Sequence, residues 1–97
     1  MPDFLLLMHN DTAGPESGAA WEAYLTSLRQ AGAFVGGSSV GDGTTLRRSG
    51  TAAPVSAGLT GFIRLRAADL AAAKRLVEGN PAYEAGGTIE IRELPED

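Results

Sequence analysis

The sequence predicts an α+β domain built in the order β-α-β-β-α-β, and three patterns carry that prediction. Phe4-Leu5-Leu6-Leu7-Met8 is an apolar run with no polar residue until His9, the signature of a strand buried on both faces. Two later stretches repeat apolar residues every three or four positions, as amphipathic helices do. The stretch Thr88 to Leu94 alternates, with Ile89 and Ile91 on one side and Thr88, Glu90 and Arg92 on the other, as a strand at a sheet edge does.

The remaining elements follow in chain order. Asn10 to Ser17 holds Asn10, Asp11, Gly14 and Pro15 and reads as a turn region. A helix starts between Pro15 and Gly18 and buries Ala20, Trp21, Tyr24, Leu25, Leu28 and Ala31, with Gly32 ending it. Phe34, Val35 and Val40 mark a second strand, which Gly36-Gly37 assigns to an edge or a bulge. Gly41 to Gly58 is polar and glycine-rich, with a short hairpin between residues 44–47 and 53–55 as its one candidate element. Leu59 to Arg66 is the third strand, with Leu59, Ile63 and Leu65 opposite Thr60, Phe62 and Arg64. A second helix runs from Ala68 to Glu78, burying Leu70, Ala73, Leu76 and Val77, and stops at Gly79 and Pro81.

This order is the split βαβ pattern of ferredoxin-like domains, whose sheet is antiparallel with its first and third strands in the middle. Two helices cover one face of a four-stranded sheet. The other face carries Phe62 and apolar residues of the first strand among Thr60, Arg64, Glu90 and Arg92. Such a face is too apolar to stay wet, and packing two copies together in a C2 homodimer would bury it.

The 97 residues form one domain, residues 1–97. A net charge of −4 and eight scattered Lys and Arg give no clustered basic face, which argues against nucleic acid and against an anionic membrane surface. Without cysteine there are no disulfides, thiolate nucleophiles or Cys-ligated metals. The apolar run at Phe4 is too short for a signal or a membrane span, so a cytoplasmic protein is expected. One histidine, without metal-ligand or dinucleotide spacing, leads to the expectation of no metal and no bound cofactor.

Several segments resemble the YCII-related family. They are Phe4 to His9, the helix ending Leu28-Arg29-Gln30-Ala31-Gly32, Val35-Gly36-Gly37, and above all Gly79-Asn80-Pro81-Ala82-Tyr83-Glu84-Ala85-Gly86-Gly87 with Glu90-Ile91-Arg92. The resemblance spans nearly the whole chain and implies a ferredoxin-like domain forming a dimeric α+β barrel. It also implies, for some members, a catalytic His and Asp pair in the intersheet cleft. Two departures stand out: Pro54-Val55-Ser56-Ala57-Gly58 replaces the Asp-Gly-Pro-Phe of many relatives, and Tyr24 stands where others carry a helix histidine.

His9, the only histidine, ends the first central strand, where an imidazole can titrate near neutral pH. Asp11, two residues on, is placed to orient it; the plainer roles are a backbone hydrogen bond for His9 and a turn cap for Asp11. Tyr24 is a core residue or a donor into the cleft. Asn80, Tyr83 and Glu84 serve a helix stop and strand entry, or else line the cleft or meet a partner subunit. Arg47 is a solvated loop tip or an anchor for an anionic ligand. Gly36 to Gly43 lacks the Lys-Ser/Thr ending and following helix of a phosphate loop.

Three functions fit these residues. One is an acid–base enzyme acting on a small molecule, with His9 as base, Asp11 orienting it and Tyr24 donating. The second is a binding or regulatory module using the same cleft, and the third is a subunit that docks on another protein.

Overall fold

A computed structural model describes residues 1–96. Strand β1 (Asp3–His9) is followed by helix α1 (Gly18–Gln30), β2 (Phe34–Ser39), β3 (Leu59–Arg66), two short helices α2 (Leu70–Arg75) and α3 (Pro81–Glu84), and β4 (Ile89–Leu94). The strands form one sheet in the order β2-β3-β1-β4 with every pair antiparallel. This is the ferredoxin-like α+β arrangement, with β1 and β3 central.

Alternation along the strands divides the sheet into two faces. Phe4, Leu6 and Met8 of β1 join Ile63 and Leu65 of β3 beneath the helices, with Tyr24, Leu28, Ala73, Val77 and Ala82 packed above them. On the other face Asp3, Leu5, Leu7 and His9 lie beside Phe62, Arg64 and Arg66 of β3 and Glu90 and Arg92 of β4. Leu5, Leu7 and Phe62 are only half-buried there. Within one chain β1 is therefore buried on one face, where its composition predicts burial on two.

The helices depart from expectation in instructive ways. In α1, Tyr24 and Leu28 are buried, Trp21 and Leu25 half-buried, and Ala20 and Ala31 exposed. Ser17 caps α1, its hydroxyl accepting from the Ala20 amide at 3.0 Å. The second predicted helix, Ala68 to Glu78, is the shorter α2, and a further helix, α3, follows beyond its predicted end. Asp69 caps α2, Leu70 stays 51% exposed in its first turn, and Gly79 at φ +87° ends the segment. Pro81 then opens α3 instead of closing α2, because proline suits the first helical position, where no amide partner is needed.

Strand β2 is an edge strand with a register shift between Phe34 and Gly36, as its glycines suggest. No hairpin forms between residues 44–47 and 53–55. The excursion is instead braced by side chains, with Thr45 Oγ1 donating to the Ala53 carbonyl at 2.6 Å and Arg47 Nη1 to that of Thr51 at 3.1 Å.

Candidate functional site

His9 ends β1 on the face without helices, and its backbone amide donates to the Thr88 carbonyl at 3.1 Å. Glu90 lies diagonally across the β1–β4 ladder, within reach of a long side chain. With its proton on Nε2, His9 donates to Glu90 Oε1 at 3.0 Å. The second carboxylate oxygen, Oε2, accepts from Arg92 Nη1 at 3.2 Å. Both side chains of the pair are partly open to solvent, at 30% and 36% exposure. The His9 contact, and then Arg92, hold the Glu90 carboxyl below the usual carboxylate range against a smaller opposing effect of burial.

Asp11 does not play the expected part. Its carboxylate accepts from the Thr88 amide at 2.8 Å and the Thr88 hydroxyl at 2.6 Å, and the hydroxyl is the main reason its pKa lies low. His9 adds only the smallest of the favourable effects. Asp11 thus ties the turn after β1 to the start of β4. The same junction is drawn tight by Ala13, whose amide donates to the Ala85 carbonyl at 2.7 Å. Gly87 is required there, since a Cβ would stand 2.8 Å from Thr12 Cγ2 and 2.9 Å from the Ala82 carbonyl oxygen.

Tyr24 is also reassigned. It lies under α1 at 4% exposure, on the helix face and so across the sheet from His9, and its hydroxyl donates to the Leu76 carbonyl at 2.7 Å. Burial pushes its pKa up. A side chain so placed cannot donate into a site built around His9.

The remaining candidates do not converge on His9. Asn80 is fully buried and caps α3, its Oδ1 accepting from the amides of Ala82 and Tyr83 at 3.0 and 3.2 Å. Its Nδ2 makes no hydrogen bond. Glu84 reaches back to the Gly79 amide at 3.1 Å, Tyr83 is exposed, and Arg47 braces its own loop. Glu90 is the residue sequence reasoning missed. Its signal was present, because a fourth strand beside the first sets Glu90 next to His9.

Among the described residues no three His, Cys, Asp or Glu side chains gather as a metal site would need, and no helix is long and apolar enough to cross a membrane. The fold and this strand-end pair define a small ferredoxin-like α+β domain with an ionisable cluster on its open sheet face. The family model for the YCII-related domain matches residues 4–96, and the chain belongs to that family. No curated protein matches the chain.

Proposed function

We propose that the protein is an acid–base enzyme acting on a small molecule, with His9 as the proton-transfer group and Glu90 as the residue that orients it. The 3.0 Å contact between His9 Nε2 and Glu90 Oε1 carries this reading. A carboxylate on one ring nitrogen fixes the tautomer and stabilises the imidazolium. It leaves Nδ1 as the basic atom facing the substrate. The His9 contact and, after it, Arg92 on the far side hold the Glu90 pKa low and favour the ionised carboxylate.

The half-buried Leu5, Leu7 and Phe62 beside this pair support a homodimer in which a second copy closes the open face and completes a cleft. The cytoplasm is the compartment proposed, in keeping with the lack of cysteine. A binding or regulatory module is the second reading. It is favoured by one observation: both Glu90 oxygens are already engaged, an arrangement that serves to hold a surface as well as to work it.

The test is an NMR screen of a metabolite mixture in D2O for carbon-bound protons exchanged, or compounds transformed, in the presence of the protein. General acid–base catalysis contributes about 10²–10⁴-fold. His9→Ala is therefore expected to lower turnover at least ~100-fold, with Glu90→Gln lowering it less. A compound that binds unchanged, with equal affinity in His9→Ala, establishes the binding module and ends the enzyme reading.

A further inference from the structure

A cavity of about 440 Å³ opens on the helix side of the sheet, between α1 and the β2–β3 edge. Met8 and Ile63 lie in its lining together with two glycines. Gly37 and Gly61 contribute only backbone, and a Cβ at Gly37 would stand 2.7 Å from the Phe62 carbonyl oxygen. Its walls are Trp21, Leu25 and Phe34, which are half-buried against the core and do not fill it.

The walls are also held in place. Trp21 Nε1 donates to Glu16 Oε1 at 2.8 Å, and the indole meets the Tyr24 ring edge-on at 6.1 Å between centroids. Trp21, Leu25 and Arg29 follow one another at intervals of four along α1, a single stripe facing the cavity. The Arg29 guanidinium sits over the Phe34 ring, 4.9 Å from its centroid. Among the described residues it has no carboxylate partner. Glu16, the acidic residue of the lining, is engaged by the Trp21 indole, which lies eight residues and about 12 Å of axial rise before Arg29.

We infer that this cavity is a binding site for a small aromatic carboxylate, its ring against Trp21, Leu25 and Phe34 and its carboxylate on Arg29. The volume falls within the roughly 300–1,000 Å³ of small-molecule sites, and the lining is mostly apolar, with Arg29 and the Trp21-bound Glu16 as its charged residues. A guanidinium already positioned on an aromatic ring recognises a carboxylate with little further ordering. The site does not depend on the His9 pair, so His9→Ala is expected to bind as the unaltered protein does.

Trp21 is the only tryptophan, so its indole N–H gives one unambiguous signal in a ¹⁵N–¹H spectrum. The probes are naphthalene-1-carboxylate and its uncharged counterpart naphthalene-1-methanol. Both are expected to shift the Trp21 signal, with the carboxylate binding at least tenfold more tightly. Arg29→Gln should abolish that margin while leaving the alcohol's affinity unchanged. Ser39→Leu, which fills the cavity from an exposed edge position, should remove both. If Ser39→Leu does not fold, the exposed Arg29→Gln position carries the test. A Trp21 signal unmoved by either probe, or a carboxylate with no advantage over the alcohol, overturns the inference. So does a shift caused by Leu46→Ser without any probe, because the 94%-exposed Leu46 would then be the occupant, supplied by a second copy.

Discussion

With Nε2 committed to Glu90, the tautomer of His9 becomes an observable of the proposed mechanism. The ¹⁵N shifts of the imidazole are expected to show a protonated Nε2 and an unprotonated Nδ1 above neutral pH, and Glu90→Gln should let the two tautomers mix. Equal tautomer populations in the unaltered protein would remove Glu90 from its orienting role. The carboxyl of Glu90 provides the reciprocal check: its low pKa should climb back toward the ordinary 4.5 when His9 is replaced by Gln. Tyr24 is predicted to matter to stability alone. Tyr24→Phe deletes the hydrogen bond to the Leu76 carbonyl, which should cost about 0.5–1.5 kcal/mol in urea unfolding. Turnover or ligand binding at His9 should not change.

At the scale of elements, the four-residue helix α3 depends on its first cap. Asn80 Oδ1 accepts two amides, and the residue is fully buried. Asn80→Ala is expected to destabilise the protein by about 1–2 kcal/mol, read as a lower urea midpoint with an unchanged slope. The sequence showed that a helix must stop near Gly79. It did not show that another must begin at Pro81, because Asn-Pro serves either purpose and local chemistry alone does not choose. What chooses is packing: Pro81 and Ala82 are buried, and α3 brings the chain back to β4 beside the turn held by Asp11.

For the whole molecule, acid stability and assembly are the informative measurements. Asp3 is held low chiefly by its hydrogen bonds to Arg64 and Arg66, Asp11 by Thr88, and Glu90 by His9. A carboxyl with a depressed pKa in the folded state binds protons less readily than in the unfolded chain. Its contribution is therefore present above the ordinary carboxylate range and is lost as pH falls through about 4 and below. Urea midpoints should fall on acidification, and combining Asp3→Asn with Asp11→Asn should flatten that dependence. Assembly is tested at the centre of the open face. Phe62→Glu should sediment as a single 10.0 kDa chain, and the unaltered protein is expected to sediment as two. If the unaltered protein is monomeric, the proposed cleft loses its second wall.

The sequence by itself determined the order of the strands, the places of α1 and α2 between them, the central place of β1, the edge character of β2 and the face on which each β3 and β4 residue stands. Those features arise from period-two and period-3.6 patterns and from glycines, all of which act over a few residues. Tertiary structure alone decided the partners of His9, Asp11 and Tyr24. Asp11 is two residues from His9 in the chain, but the turn carries it toward Thr88. Glu90 is 81 residues away, and strand pairing brings it to 3.0 Å. Tyr24 has the composition of either a core or a site residue, and only its burial against Leu76 settled which. Local periodicity encodes which face a side chain occupies. Which charge it meets there depends on register between distant strands, a property of the assembled sheet.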